Sequence, residues 1–392
     1  MKELSQAEKS ASSRRSFLRK GMAASAVTVG AGLLTTSSVV FADGDGDKDK
    51  SGRLTPGDAA ILRFLAAAEI LETDLWLQYQ ELAGIQDDEV SKEAAAQIPG
   101  YPATPTGGNT LYTNAVSQLD TDMAQYIHDN TDDEFTHETF INAYLASKGA
   151  STVNLDEFRT LPSSQATGSN KSVGRLTNLM QLTVDTTWWT RYRSDTQNPD
   201  FGDVLPQAIP TLAVGQHTAI PRTDSDTNDA NFLQAIANTA GFHFATIEQG
   251  GSSLYPQLAQ RVSNVEVLRI LLSIGGTEIM HFQTWQDKAG NCPDAINVVD
   301  PVNKSTVTFD LMSASRFKTE PFQANLIMPE PTIFLSKGLP LCSIIRPTAT
   351  QNAAMGAVKA LTGDGLFIGQ SPAFFAMIQD LASDADAAHR EG

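Results

Sequence analysis

The chain is poor in the residues that build disulfide scaffolds, cysteine-zinc sites or nucleic-acid surfaces. Only two of its 392 residues are cysteines, Cys292 and Cys342, too few for a disulfide framework or a four-thiolate metal site. Two alternatives stay open for them. Paired, they would close a loop of about 50 residues, worth about 4 kcal/mol in the chain-entropy model; unpaired, they are two buried thiols. Basic residues are also scarce, 28 Lys and Arg against 45 Asp and Glu, a net charge of −17. Such a surface repels nucleic acid and anionic lipid and favours cations. There is no basic patch with interleaved aromatics, no Gly-rich phosphate loop and no nucleophile elbow. Nor does any stretch reach the roughly 20 strongly apolar residues of a membrane span. The 41% hydrophobic content is nevertheless ample for a sizeable core at this length.

The weakly apolar run from Gly21 to Phe41 comes after Ser13-Arg14-Arg15-Ser16-Phe17-Leu18-Arg19-Lys20. Adjacent arginines, a Phe-Leu pair, a basic flank, a mild apolar stretch and Val40-Phe41-Ala42 as a cleavage site resemble a twin-arginine export signal. The resemblance implies removal of residues 1–42, passage through the twin-arginine machinery as a folded protein, and a periplasmic or extracellular location. An N-terminal membrane anchor is the alternative. After the cut the chain carries 22 basic and 43 acidic residues, a net of −21 against −17 for the whole. Residues 43–53 alternate acid with Gly or Lys and read as a disordered linker. A calcium loop is disfavoured there, because Lys48 or Lys50 stands where its glycine belongs and no Glu closes it.

Helical periodicity dominates the chain from Leu54 onward. Thr55-Pro56 opens a helix over 56–82, with Gly84 as its stop and Leu62, Leu65, Glu69, Glu72, Trp76 and Tyr79 on one face. A Gly/Pro-rich loop covers 98–108. A second helix is expected from Tyr112 through His128 to Lys148, with a break at Asn130; a third spans 229–261 and a fourth 265–288. The stretch 151–228 reads as an insertion containing one helix near 175–193. Residues 293–392 read as a partly irregular extension with a strand at Ser305–Phe309 and one or two helices over 352–388.

Two helices carry Glu-x-x-His, as Glu134-Phe135-Thr136-His137 and Glu278-Ile279-Met280-His281. Residues three apart on a helix lie one turn up and about 60° around, so carboxylate and imidazole can meet on one ion. Six histidines and average Glu usage give about 0.3 such pairs by chance, so two are a signal. Competing readings are a capping box, Thr131-Asp132-Asp133-Glu134, and a core histidine at 281.

The remaining helices each offer a Glu with an aromatic seven residues later: Glu69 with Trp76 (or, as runner-up, Glu72 with Tyr79) and Glu248 with Tyr255. The order Glu, Glu-x-x-His, Glu, Glu-x-x-His resembles the ferritin-like superfamily. The resemblance covers about 54–292. It implies an all-α fold, a ferritin-like four-helix bundle with an insertion between helices 2 and 3 and a mixed, partly irregular C-terminal extension. It further implies two Fe or Mn ions on Glu69, Glu134, His137, Glu248, Glu278 and His281, with Glu134 and Glu278 bridging. Tyr79 and Tyr255 are then candidates to hydrogen-bond the ligands from behind, against a plain packing role. Four carboxylates would balance two divalent ions and leave positions open for a small oxidant such as dioxygen or peroxide. Large insertions do not suit a close-packed storage cage, though another homo-oligomer stays open. The activities implied are di-iron oxidase, ferroxidase or manganese catalase chemistry, and the alternative is a non-catalytic metal-binding or desiccation-related protein. His217, His243 and the pair Trp188-Trp189 are expected to be structural.

Overall fold

A computed structural model describes residues 53–98, 100–101, 105–194, 197, 202–293, 295–310, 338 and 352–391, all within the unit Lys50–Gly392. The stretch read as an export signal, with Arg14 and Arg15, nearly all of the stretch read as a linker, and Cys342 lie outside the described residues.

Four long helices make the frame: α1 (Pro56–Ala83), α4 (Met123–Ser147), α6 (Ala230–Ala259) and α7 (Val265–Ala289). Their starts are set by side chains that accept orphan backbone N–H groups. Thr55 takes the Asp58 N–H at 3.0 Å, with Pro56 in the first turn. Asp229 caps α6 and Asn264 caps α7 in the same way. Two short helices, α2 (Glu89–Gln97) and α3 (Thr110–Val116), fill the link between α1 and α4.

Contacts between the helices fix their directions. Thr131 on α4 meets Trp76 on α1, and Ile85 just past α1 meets Ala124 near the start of α4, so α1 and α4 are antiparallel. Glu69 faces Tyr255 while Tyr79 faces His243, so α6 also runs against α1. His281 faces Asp133 while Lys288 faces Asp120, so α7 runs against α4. Helices α4 and α6 are therefore parallel. Parallel neighbours in a bundle need a long crossover, and the stretch 151–228 supplies it: it returns the chain from the end of α4 to the beginning of α6, some 40 Å away at 1.5 Å per residue.

That crossover overturns one expectation. The stretch 175–193 is helical only at α5 (Thr187–Arg191); the rest is turns, bends and irregular chain, with bridges Leu161–Arg175 and Leu182–His217. Buried acids on the outer face of α1 claim its backbone and side chains. Asp74 Oδ2 accepts the N–H groups of Leu176 and Thr177 at 2.9 Å each, and both Glu81 oxygens accept from Arg175 Nη2 at 2.6 Å. These bonds satisfy polar groups that a helix would have paired internally.

The second expected helix is interrupted at 117–122, before α4, and not at Asn130, which lies inside α4. The Asp120 carboxylate takes the Asp122 N–H at 2.8 Å and pairs with Lys288 at 2.7 Å, which competes with helix continuation. Thr131 is likewise mid-helix, so the capping-box reading of Thr131–Glu134 fails.

Past the bundle, β1 (Ile296–Val299) and β2 (Thr306–Phe309) pair antiparallel, with Ile296 opposite Phe309. Helices α8 (Ala353–Gly363) and α9 (Pro372–Ala387) then return to the bundle, α8 onto α6 and α9 onto α1. The core includes an aromatic stack of Trp76, Phe244 and Trp285, centroids 4.7 to 5.3 Å apart. Among the described residues no helix is long and apolar enough to cross a membrane.

Candidate metal centre

Midway along the bundle, each long helix turns carboxylates inward. Glu69 comes from α1, Glu134 and His137 from α4, Glu248 from α6, and Glu278 and His281 from α7. They form two overlapping quartets, Glu69–Glu134–His137–Glu278 and Glu134–Glu248–Glu278–His281, within each of which one ligand atom per residue lies within 4.8 Å of the others. Glu134 and Glu278 belong to both. All four glutamates are 0% exposed.

His137 Nδ1 stands 3.3 Å from Glu69, 3.1 Å from Glu134 and 3.4 Å from Glu278. His281 Nδ1 stands 3.3 Å from both Glu134 and Glu248. Several of these buried atoms make no hydrogen bond: Glu69 Oε2, Glu248 Oε2, both Glu278 oxygens and His281 Nδ1. Leaving such groups unsatisfied costs several kcal/mol each. A donor set of carboxylate oxygens and imidazole nitrogens that converges without partners fits divalent cations of the Fe or Mn kind.

Electrostatics records the same tension. Burial, together with the neighbouring Glu134, pushes Glu69 up from 4.5 to about 7 against the pull of His137. Burial and the surrounding carboxylates raise Glu278 well above its ordinary value, and burial raises Glu248. Glu134 is the exception: burial opposes its ionisation, but the hydrogen bond to His137 and the charges of His137 and His281 outweigh it and hold it well below the carboxylate range. Both imidazoles are raised in spite of burial, by the acids around them.

A surrounding layer orients these groups. Asp133 accepts from His281 Nε2 at 2.9 Å. Asn130 donates to Glu134 Oε1 at 2.8 Å and to Glu248 Oε1 at 3.1 Å, and its own carbonyl accepts from Trp285 Nε1 at 2.7 Å. Trp76 Nε1 donates to Glu248 Oε1 at 3.0 Å. The Tyr255 hydroxyl donates to Glu69. The Glu-x-x-His pattern does not point to Asn130 or Asp133, although Asn130 lies one turn before Glu134 on the same face of α4, a spacing that could have marked it.

Tyr79 does not take the place expected of it. Its hydroxyl lies 2.7 Å from His243 Nδ1, away from the cluster, and burial pushes that imidazole down to about 3. His243 is therefore a neutral core residue. His217 is structural too, its Nε2 lying 2.8 and 2.9 Å from the carbonyls of Thr211 and Val214. Trp188 donates to Thr246 at 2.9 Å and Trp189 stacks under Arg193, which makes the pair a packing anchor. Glu72, the runner-up to Glu69, joins neither quartet, but it feels the charges of Glu278, Glu69, Glu134 and Glu248, which with burial hold its carboxyl well above the usual range. A third group that the sequence did not suggest, Asp87, Glu89 and His128, gathers within 4.8 Å between the α1–α2 link and α4. Burial raises the Cys292 thiol; its pairing with Cys342 falls outside the described residues.

The family model of the ferritin-like domain matches residues 57–290. That stretch begins with α1, takes in the crossover and ends with α7, before the strands and the C-terminal helices. None of the curated proteins and none of the solved structures compared with the chain matches it.

Proposed function

Because the chain belongs to the ferritin-like domain family, we propose that its buried Glu/His cluster is a two-metal centre of an exported protein, with oxidoreductase-type chemistry on dioxygen or peroxide. One observation carries the reading: three inward carboxylates and one imidazole have buried atoms with no hydrogen-bond partner, all converging on the same interior point.

In this reading Glu134 and Glu278, common to both quartets, would serve both ions, Glu69 and His137 would hold one, and Glu248 and His281 would hold the other. Two iron or manganese ions would supply an exchangeable redox pair for a small oxidant. Asp133 fixes His281 with Nδ1 inward, Asn130 steadies Glu134 and Glu248 together, and Tyr255 holds one oxygen of Glu69 so that the other faces the ions. The stacked Trp76, Phe244 and Trp285 help keep bulk water out, which strengthens every electrostatic interaction inside. Export through the twin-arginine route would place metal insertion before secretion, since that route carries folded proteins.

The test is anaerobic loading of the purified chain with Fe(II), then exposure to dioxygen. A ferric absorbance band at about two irons per chain is expected, and it should vanish in Glu134→Ala/Glu278→Ala. No metal uptake, or unchanged uptake in that variant, would refute the reading. Stoichiometric metal without oxidase, ferroxidase or catalase turnover would point to a metal-binding, stress-protective protein instead.

A further inference from the structure

Helices α8 and α9 lie beyond the stretch that the family model matches, and they roof the bundle over α1 and α6. Between roof and bundle is a cavity of about 340 Å³. Its walls are mostly apolar, with Phe64, Leu71, Leu254, Val358, Phe367 and Ile378 among them. Its lining includes Glu72, Gly250 and Gly251; Gly251 touches Glu278 of the Glu/His cluster and Glu72 feels the cluster's charges, whereas Gly250 is exposed.

The two glycines differ. A Cβ on Gly251 would stand 2.2 Å from Glu278 Oε2, so only a glycine's width of α6 separates the cavity from that carboxylate. A Cβ on Gly250 would meet nothing within 4 Å, and Gly250 has ordinary helical backbone. A glycine inside a helix costs about 1 kcal/mol relative to alanine, and neither packing nor backbone geometry accounts for that cost at 250. Gly250 is exposed and lies at the edge of the cavity lining. Glu72 sits one helical turn from Glu69, half-buried, and its carboxylate makes no hydrogen bond or ion pair among the described residues.

We propose that this cavity binds a small, mainly apolar organic molecule whose single polar head, a hydroxyl or an amine, is set against Glu72 beside the Glu/His cluster. The volume falls at the lower end of the roughly 300–1,000 Å³ typical of small-molecule sites. The ionisable side chains lining it are three acids, Glu72, Asp185 and Asp364, against one base, Lys359, which is exposed; a carboxyl, protonated or ionised, accepts a hydrogen bond from a hydroxyl or ammonium and, ionised, repels an anion, so the lining favours neutral or cationic heads over anions. The C-terminal extension thereby acquires a role: it covers the bundle where Gly251 brings α6 against Glu278. The significance of the pocket rests on the two-metal reading, since the head would lie next to the ions, but occupancy itself needs no metal.

The experiment titrates the full chain, metal-free and metal-loaded, with 1-octanol, octylamine and octanoate, monitored by calorimetry and by the fluorescence of Trp188, which lines the cavity. Saturable binding of octanol and octylamine to both forms is expected, with octanoate at least about ten-fold weaker. Gly250→Leu sets a side chain across the edge of the cavity and should weaken binding by about ten-fold or more while helical content and metal uptake persist. Glu72→Gln should narrow the gap between octanoate and octylamine. Absence of saturable binding, equal binding by Gly250→Leu, or octanoate binding as tightly as octanol would overturn the proposal. A chain that takes up no metal but still binds octanol in the cavity would sink the two-metal reading and leave the pocket standing.

Discussion

The Asp133 carboxylate holds the Nε2 proton of His281 across 2.9 Å, which leaves His281 Nδ1 turned inward, 3.3 Å from both Glu134 and Glu248. Asp133 and Glu134 are adjacent in sequence and act on opposite nitrogens of one ring, Asp133 from the rim and Glu134 from the interior. Carboxylates that orient metal-binding imidazoles commonly matter about 10–100-fold in metal affinity. Asp133→Ala should therefore weaken uptake of one of the two ions by about that factor, with little change in the other. Competition titrations with a chelator resolve the two sites; equal weakening at both would contradict the assignment.

The pH response of the metal-free chain has its origin in the same cluster. Glu69 is pushed by burial from 4.5 to about 7, so between those values the folded chain keeps a proton that the unfolded chain has released. That contribution to stability is full below 4.5 and is lost as pH rises through about 7. His137 and His281, raised against burial by the surrounding acids, act in the same direction, their contribution being present below 6.5 and lost as pH climbs through their folded values. Glu134, depressed by the two imidazoles in spite of burial, acts oppositely, and its contribution is lost only as pH falls below 4.5. The melting temperature of metal-free protein should therefore fall as pH rises above 4.5, whereas metal uptake should release protons and tighten over the same range. Calorimetry in buffers of different ionisation heat measures both; a flat profile without metal would contradict the charge pattern.

Gly251→Ala isolates the close approach between α6 and Glu278. The added methyl would stand 2.2 Å from Glu278 Oε2, the end of a flexible side chain, so the carboxylate must swing aside while the helix persists. Metal stoichiometry should drop with helical circular dichroism unchanged. Normal metal content in this variant would mean that Glu278 is not a ligand.

The attachment of the crossover to α1 is a separate matter of stability. Arg175 and Glu81 are both buried, with Arg175 Nη2 2.6 Å from each Glu81 oxygen, and Tyr101 and the Asn170 N–H complete the set. Removing one partner, as in Arg175→Met, leaves a buried acid uncompensated and should cost about 3–5 kcal/mol. Replacing both, Arg175→Met with Glu81→Leu, should recover much of that loss. Chemical denaturation of the single and double variants gives the comparison, and equal losses in both would argue against the pair.

Export is tested without reference to the metal. Arg14→Lys with Arg15→Lys should trap the precursor inside the cell, detected as uncleaved chain in the cytoplasmic fraction. Unimpaired secretion of that variant would remove the signal assignment.

Sequence alone determined the four long helices, the start of α4 excepted, and the inward acids they carry. Periodicity, with Thr55-Pro56 at the start of α1, bounded α1, α6 and α7 to within two residues, because helix initiation and turn formation are local events. The two Glu-x-x-His pairs and the two Glu-to-aromatic intervals were legible because helical spacing places those residues on one face whatever the rest of the chain does. Tertiary structure decided everything that depends on which helix lies opposite. It gave Tyr79 to His243 and Trp76 to Glu248, chose Glu69 over Glu72, and brought Asn130 and Asp133 to the cluster. It also drew residues 175–193 out of a helix, since long-range bonds to Asp74 and Glu81 outweighed local propensity. Such choices rest on contacts between residues distant in sequence, 94 positions apart for Glu81 and Arg175 and 172 for Trp76 and Glu248, and no local pattern encodes them.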